Sequence, residues 1–261
     1  MNNRIVESVF WKPLTRHYRR APSIALCRVP ELEFASQLDV SGSCLDHCCG
    51  DGLFAALAWQ GKKLSAGCDI NHESIAQAQR RAHHLRLDVC DVSVRLPYAD
   101  HSFDLVFDNS ALEHVKDLRS NLAEIARVLK PKGKFAFNVL NHRYFEWWPL
   151  DKTSLEGYKQ WQPFFHALSK NVWQQELEAV GLEIVTVKGY FDQRAAQELA
   201  RLDYAFSAYY LKGVKSSFVR SYLALPGVFS SLLFRKLQNL VWETPPDAGA
   251  GFSILAVKRD G

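Results

Sequence analysis

Three features of the first half of the chain have the residue types and the spacing of a nucleoside-binding site. A glycine-rich stretch, Cys48-Cys49-Gly50-Asp51-Gly52, follows a short apolar run, and Asp69 follows the next apolar run. Glycines let a ligand approach the backbone closely, and the N–H groups that open a helix bind polar ligand atoms. An acid 17 residues after Gly52 is suited to accept hydrogen bonds from two ribose hydroxyls. The pattern therefore predicts a cofactor that carries a nucleoside.

These residues need a scaffold of alternating strands and helices. Short apolar runs predict strands, helical stripes and caps such as Asn71 predict helices, and their alternation is typical of an α/β fold. We expect a doubly wound, Rossmann-like, mostly parallel seven-stranded sheet. The predicted strands are 43–45, 64–68, 87–89, 103–107, 134–140, 183–187 and 251–257, and the predicted helices are 52–59, 71–82, 118–129 and 169–180.

Two segments depart from this alternation. Residues 141–167 are dense in aromatic side chains, and residues 191–249 form a long insert before the last strand. Both follow strands on the carboxyl side of the sheet, where α/β folds bind ligands, so we expect helical inserts that form a lid. The expected division is a basic and apolar N-terminal segment (1–40), a core (41–190 and 250–261) and the helical insert (191–249).

Further motifs continue the series in order along the chain. The six blocks are Asp46-x-Cys-Cys-Gly50-x-Gly52, Gly67-Cys-Asp69-Ile-Asn, Cys90-Asp91, Leu96-Pro-Tyr-Ala-Asp-His-Ser-Phe-Asp104, Asn109-Ser-Ala-Leu-Glu-His114-Val and Arg127-Val-Leu-Lys-Pro-Lys-Gly133. Together they resemble the class I S-adenosylmethionine-dependent methyltransferases, in particular the branch that methylates small molecules and includes quinone-biosynthesis enzymes. The resemblance covers roughly residues 40–190.

The resemblance implies a role for each matching residue. The methionine and ribose side of S-adenosylmethionine would lie on Asp46 and the loop from Cys48 through Gly50 to Gly52, although the family usually has glycine where this chain has Cys48. The remaining roles are Asp69 for both ribose hydroxyls, Ile70 for packing on adenine, Asp91 and Val92 for the adenine amino group, Asn109 for the methionine end, and His114 as an anchor of the loop after the fourth strand.

Two other functions stay open at this point. The stretch Gly50-x-Gly52-x-x-Ala55 also fits the fingerprint of a nicotinamide-dependent oxidoreductase, with Asp69 as its ribose acid. Against that alternative, Asp46 would face the pyrophosphate of a dinucleotide unfavourably, whereas an acidic surround suits a sulfonium. The second alternative is a non-catalytic binding module with a methyltransferase fold, which the presence of both Asp69 and Asp91 disfavours.

Methyl transfer from a sulfonium is a direct displacement, so a base is needed only if the acceptor must lose a proton. The candidate bases are His142, directly after the fifth strand, His166 and Tyr144. A lone histidine or tyrosine near a pocket is more often a packing or hydrogen-bonding residue than a base, so that role stays open for each of them. The acceptor is expected to be a small molecule, and the aromatic insert suggests an apolar or lipid-linked one.

Charge and cysteine usage set further expectations. The net charge is +4, and residues 211–240 combine five cations with large apolar side chains and no acid. This combination suggests peripheral contact with a membrane or lipid, while no motif for nucleic acid occurs. The six cysteines form no Cys-x-x-Cys pair, so we expect buried free thiols and no metal site. No apolar signal core opens the chain, so we expect a cytoplasmic protein, and a homodimer is a further hypothesis.

Overall fold

The computed structural model describes residues 8–224, 240, 242–245 and 248–260. They fall into two compact units. The core unit comprises Phe34–Leu140, Phe165–Lys188 and Phe252–Gly261, and the helical unit comprises Met1–Glu33, Asn141–Phe164 and Gly189–Gly251. The division expected from the sequence, with its lid, stays a prediction.

The expected α/β sheet is confirmed, with eight strands in place of seven. The order of the strands is β3-β2-β1-β4-β5-β8-β6-β7, and β1 to β5 pair with one another in parallel. The additional strand is the two-residue β7, which pairs antiparallel with the end of β6. The strands are β1 (Cys44–His47), β2 (Ala66–Asp69), β3 (Leu87–Val89), β4 (Phe103–Asn109), β5 (Leu129–Leu140), β6 (Leu182–Tyr190), β7 (Glu243–Thr244) and β8 (Gly251–Lys258).

Four helices accompany the sheet in the core unit. They are α3 (Leu53–Ala58), α4 (His72–Arg81), α5 (Leu118–Val128) and α8 (Lys170–Glu178). The Asn71 side chain accepts hydrogen bonds from the backbone N–H groups of Glu73 and Ser74, which confirms the predicted cap of α4. The apolar faces of α5 and α8 meet the strands in a core that includes Val106, Phe137 and Trp173.

Residues 130–133, which separate the predicted helix 118–129 from the predicted strand 134–140, form a bulge inside β5. Leu129 pairs with Phe103 of β4, and Lys134 pairs with Leu105, so four residues of β5 lie opposite one of β4. Lys132 takes a positive φ of 61° within this bulge. Helix α5 thus ends at Val128, one residue before the predicted bound, and the proline and glycine lie in a bulge after which the chain resumes pairing within the sheet.

The helical unit holds the remaining described helices, two of which are capped by aspartates. Asp151 and Asp192 accept hydrogen bonds from the N–H groups of Ser154 and Ala195. Gly213, with a φ of 66°, ends the long helix that Asp192 begins. The helices are α1 (Trp11–His17), α2 (Pro22–Ala35), α6 (Arg143–Glu146), α7 (Lys152–Trp161), α9 (Gln193–Lys212) and α10 (Ser217–Ala224).

All six cysteines are free thiols, as expected, but only half of them are fully buried. Cys44, Cys49 and Cys68 are buried, and the other three are partly exposed. Burial raises the pKa of the Cys44 thiol to about 12, which keeps that group protonated and unreactive. Within the described residues, no helix combines the length and the apolar character needed to cross a bilayer.

Candidate functional site

The glycine loop after β1 takes a backbone conformation that most side chains avoid. Cys48, Gly50 and Gly52 have φ values of 54°, 55° and 74°. A Cβ on Gly52 would lie 3.2 Å from that of Ala78, whereas one on Gly50 would meet no atom within 4 Å. The space beside Gly50 is therefore open to a ligand, while Gly52 is needed for the packing of α3 on α4. Cys48 adopts the left-handed region with a Cβ, so this turn is strained.

Asp69, at the end of β2, fastens this loop to the neighbouring strand. Its Oδ2 accepts a hydrogen bond from the Gly50 N–H at 2.9 Å, and its Oδ1 accepts one from the Asn71 N–H at 2.9 Å. An ionised carboxylate has about four acceptor sites. Each oxygen of Asp69 therefore keeps capacity for a hydroxyl of a ribose placed over the loop.

Two further predicted residues lie at the same edge of the sheet. The Cys90 N–H donates to the Asp69 carbonyl at 3.0 Å, which brings the loops after β2 and β3 together. Ile70 is 65 % exposed, and the Asp91 side chain is exposed, with its Oδ1 accepting from the Ser93 N–H at 2.9 Å. An apolar face and a carboxylate that both face solvent suit the ring and the amino group of adenine.

Asp46 points into the protein interior, where it meets a histidine that the sequence reasoning missed. Its Oδ2 lies 2.8 Å from Nε2 of His84, and both side chains are buried. Burial raises the pKa of Asp46, and the hydrogen bond to His84 opposes that shift. The His84 ring covers Gly67, where a Cβ would come within 2.8 Å of it. The one local signal for this pair is a glycine in the middle of β2.

A second buried pair involves the next residue of β1. His47 Nδ1 lies 2.7 Å from Asp108 Oδ2, and both side chains are fully buried. Asn121 of α5 donates from Nδ2 to His47 Nε2 at 3.1 Å and to the Val92 carbonyl at 2.9 Å. The sequence reasoning missed this pair too, because a polar residue inside each of two apolar strands gives no motif.

Each pair also lies near a cysteine. The two groups of potential metal ligands among the described residues are Asp46, Cys49 and His84, and His47, Cys48 and Asp108. In both groups the imidazole and the carboxylate are already joined by a hydrogen bond shorter than 3 Å. Hydrogen bonding therefore accounts for the arrangement of these side chains.

Asn109 is the last residue of β4, and His114 lies in the loop that follows. Asn109 Oδ1 accepts a hydrogen bond from Asn138 Nδ2 at 2.8 Å, and Asn138 Oδ1 accepts one from the Ser253 hydroxyl at 2.6 Å. This chain of amides orients Asn109 at the carboxyl edge of the sheet. His114 lies on a 3₁₀ turn (Leu112–His114) with its side chain exposed, and its N–H donates to the Ala111 carbonyl at 2.9 Å.

His166 lies in the core unit, beside a cavity of about 710 Å³. Its Nε2 is 3.4 Å from the Lys116 carbonyl oxygen. Acidic and basic side chains both line the cavity, and Asp91 is one of the acidic ones. Its lining residues are Asp91, Ser93, Lys116, Asp117, Leu118, Arg119, His166, Leu168, Val172 and Glu176. His166 therefore shares a cavity with the acid predicted to bind adenine.

The other two candidate bases lie in the helical unit, in unlike surroundings. His142 precedes α6 and is partly exposed, with Nε2 3.7 Å from Glu146 Oε1. Tyr144 is 2 % exposed and is hydrogen-bonded to Tyr158, and burial raises the pKa of its phenol well above the usual value. Tyr158 in turn donates to Asp203. A phenol that resists ionisation is poorly suited to take up a proton at neutral pH.

Known proteins share both the sequence pattern and the fold of this chain. Residues 45–137 match the family model of a methyltransferase domain. A ubiquinone/menaquinone biosynthesis C-methyltransferase of Desulfotalea psychrophila is 36 % identical over 98 residues, which cover 36 % of this chain and 39 % of that protein. The chain thus matches less than two thirds of the length of such relatives.

Two solved structures with low sequence identity share the fold. An S-adenosylmethionine-dependent methyltransferase of Thermotoga maritima superposes with a TM-score of 0.59 at 15 % identity, covering 96 % of this chain and 98 % of that one. Geranyl diphosphate C-methyltransferase of Streptomyces coelicolor, solved with S-adenosylhomocysteine, gives 0.54 at 16 % identity, covering 88 % and 79 %.

Proposed function

We propose that the protein, whose residues 45–137 match the family model of a methyltransferase domain, transfers a methyl group from S-adenosylmethionine to a small-molecule acceptor. One observation carries the proposal. The glycine loop, Asp69 and Asp91 follow three adjacent parallel strands and meet at one edge of the sheet. When bound there, S-adenosylmethionine supplies an electrophilic methyl group for direct displacement.

Each residue at this edge would contact a different part of the cofactor. Asp69 would accept from the ribose hydroxyls with its remaining lone pairs, and Ile70 would cover the adenine ring. Asp91 would accept from the adenine amino group beside Val92. The open space at Gly50 and the oriented amide of Asn109 would receive the methionine part. One oxygen of Asp46 is held by His84, so its contribution there would come from the other.

Binding measurements separate this function from the two alternatives. Isothermal titration calorimetry should show that the protein binds S-adenosylmethionine and S-adenosylhomocysteine but not NAD. Binding of NAD in their place would support an oxidoreductase. Binding of S-adenosylmethionine with no methyl transfer to any acceptor tried, including quinols and prenyl diphosphates, would favour a non-catalytic module.

His142 is the candidate that best fits the role of a base, should the acceptor lose a proton. It is partly exposed, whereas Tyr144 is buried and His166 lines the cavity of Asp91. His142→Ala should lower kcat and leave the affinity for S-adenosylhomocysteine unchanged. Tyr144→Phe should leave the pH profile of kcat unchanged, which serves as the control. The opposite pattern would assign the role of base to Tyr144.

We further propose that the acceptor is apolar or lipid-linked and that the protein meets a membrane surface. Support comes from residues 210–220, which we call the basic corner. Tyr210, Leu211, Val214 and Phe218 there are 42–57 % exposed. The rings of Tyr210 and Phe218 both lie about 6.5 Å from the ring of Phe206, which brings the two exposed aromatic side chains to one side of the helical unit.

The charge of the basic corner selects the kind of membrane. Lys212, Lys215 and Arg220 are exposed, and residues 204–242 contain no acid. A bilayer rich in anionic lipids attracts each such cation by about 1 kcal/mol. Much of the segment 211–240, which the sequence marks for lipid contact, lies outside the described residues, so the proposal rests on residues 210–220 alone.

Vesicle co-sedimentation tests this contact. The protein should pellet with vesicles that contain phosphatidylglycerol and stay in solution with pure phosphatidylcholine. Leu211→Ser and Lys215→Glu should each weaken pelleting several-fold. Leu85→Ser and Lys63→Glu are the matched controls, since both residues are exposed on the core unit. Pelleting that is absent in the wild type, or equally weak in the control variants, would overturn the proposal.

Location and assembly are narrower proposals. A cytoplasmic location and a homodimer both rest on the sequence. Fractionation of cells that express the tagged full-length chain would test the first, and light scattering during size-exclusion chromatography would test the second.

A further inference from the structure

A continuous chain of buried polar groups connects three loops of the candidate site. Asp108 Oδ2 lies 2.7 Å from His47 Nδ1, and His47 Nε2 lies 3.1 Å from Asn121 Nδ2. Asn121 Nδ2 also donates a hydrogen bond to the Val92 carbonyl oxygen at 2.9 Å. The side chains of Asp108, His47 and Asn121 are all fully buried. Hydrogen bonds in such surroundings are costly to lose, so their geometry is strongly enforced.

The donors and acceptors fit together in only one arrangement. Asp108 accepts, and its other oxygen already accepts from the Ala111 N–H at 3.2 Å, so His47 carries its proton on Nδ1. His47 Nε2 is then an acceptor, as is the Val92 carbonyl. The two N–H bonds of the Asn121 amide match these two acceptors, while Oδ1 has no partner among the described residues. The amide of Asn121 is therefore oriented by His47 and Asp108.

Each end of the chain adjoins the candidate cofactor site. Val92 follows Asp91, and the turn that they begin is closed by the Val94 N–H donating to the Asp91 carbonyl at 3.1 Å. At the other end, His47 precedes Cys48 of the glycine loop, and Asp108 precedes Asn109. Holding the Val92 carbonyl thus fixes the backbone of the turn that presents Asp91.

We propose that Asn121 is a positioning residue for base recognition, which rests on the proposed function. By holding the Val92 carbonyl inside the protein, it sets the Asp91–Val92 turn where it accepts the 6-amino group of adenine and rejects a 6-oxo purine. His47 and Asp108 act through Asn121 by fixing its orientation. None of the three side chains touches the cofactor.

The test compares two ligands that differ only at the purine. S-inosylhomocysteine carries an oxygen in place of the 6-amino group of S-adenosylhomocysteine, and calorimetry gives the ratio of the two dissociation constants. Asn121→Asp keeps the size of the side chain but removes both N–H donors, the one that meets His47 and the one that meets the Val92 carbonyl. Wild type should prefer the adenosyl ligand at least tenfold, and the variant should lower that preference about fivefold or more, mainly by weakening the adenosyl ligand.

Two further variants keep the result interpretable. Asn138→Ser removes a buried asparagine that orients Asn109 instead, so it should weaken both ligands and leave their ratio within twofold. Asn121→Ser removes the same two hydrogen bonds as Asn121→Asp without adding charge. It should lower the ratio in the same way, so it replaces Asn121→Asp if that variant does not fold.

Three results would overturn the proposal: a wild type without preference, an unchanged ratio in folded Asn121 variants, or an equal fall in the ratio with Asn138→Ser. If the wild type binds neither ligand, the proposed function itself fails, which is a distinguishable outcome.

Discussion

The candidate cofactor site of the core unit and the helix contacts of the helical unit place their polar groups differently. In the core unit, Asp69, Ile70 and Asp91 stand open to solvent at the edge of the sheet, each with capacity left for a ligand. In the helical unit, the most concentrated polar groups lie inside: Asp203 accepts from Tyr158 and, at 2.9 Å, from the Ser23 hydroxyl. The first arrangement is suited to binding, and the second holds helices together.

The difference shows when the position of a polar residue in the sequence indicates whether its side chain faces a ligand or is buried. Acids at the ends of parallel strands come to one edge because the topology brings them there. Tyr144 also follows a strand, yet it is buried among residues from other helices and bonded to one of them. Adjacency to a strand end therefore identifies Asp69 and Asp91 as ligand-facing groups but does not reveal that Tyr144 is buried.

Removing Asp203 should give the largest effect on stability. In Asp203→Ala the hydroxyls of Tyr158 and Ser23 lose a buried acceptor, and the free energy of unfolding should fall by about 2–4 kcal/mol. Urea denaturation followed by tryptophan fluorescence measures it. Asp192→Ala, which removes only the cap of α9, should cost about 1 kcal/mol. Equal losses in the two variants would show that the buried network has no special weight.

Removing Asp69 should lower stability less than removing Asp203 does and should weaken the binding of the cofactor. We expect Asp69→Ala to lose about 1–3 kcal/mol of binding free energy for S-adenosylhomocysteine, measured by calorimetry. Asp88→Ala, one strand away, is the control and should bind as tightly as wild type. Unchanged affinity in Asp69→Ala would contradict its assigned role in binding ribose. It would also remove the distinction between polar groups that bind a ligand and polar groups that only stabilise the fold.

Two aspartates, one in each unit, should contribute to stability with opposite pH dependence. Burial raises the pKa of Asp203, so its contribution to stability is complete below the unfolded value of about 4 and is lost as pH rises through the folded pKa. The loss is at most about 1.4 kcal/mol per pH unit. In the core unit, Lys130 and Ser43 lower the pKa of Asp104 to about 2, so its contribution is lost only as pH falls.

Denaturation between pH 3 and 8 separates these two contributions. Asp203→Asn should flatten the decline of stability above pH 4, and Asp104→Asn should change the curve only below pH 4. The effect at Asp104 should be small because its side chain is about half exposed. A wild-type curve that parallels that of Asp203→Asn above pH 4 would contradict the assignment.

How much the sequence reveals depends on the distance between partners along the chain. The helix at 71–82, its Asn71 cap and the acids Asp69 and Asp91 follow from local pattern and spacing. The pairs Asp46–His84 and His47–Asp108 join residues 38 and 61 positions apart, and no short motif records them. The same holds for Asp203, which is 45 residues from Tyr158. Hydrogen bonds between residues that are far apart in sequence and belong to no motif can be identified only once the three-dimensional structure is known.

The smallest expected effect concerns Cys48, the departure from the family pattern. At most positions alanine is more stable than glycine, but a φ of 54° reverses this order because a Cβ costs about 1 kcal/mol there. Cys48→Gly should therefore be about 1 kcal/mol more stable than Cys48→Ala in urea denaturation. Asp203 and Cys48 are then the two extremes in their effect on the free energy of unfolding: the first belongs to a buried network that stabilises the fold, and the second lies in a strained loop. The usual order, with Cys48→Ala more stable, would show that the turn is unstrained.

Hydrogen–deuterium exchange with and without S-adenosylhomocysteine tests the central claim most directly, because it reports where the nucleoside lies. The ligand should slow exchange in peptides that cover residues 48–53, 69–72 and 90–94, the three loops at the carboxyl edge of β1, β2 and β3. Protection confined to other segments, or no protection at saturating ligand, would contradict the placement of the cofactor at this edge.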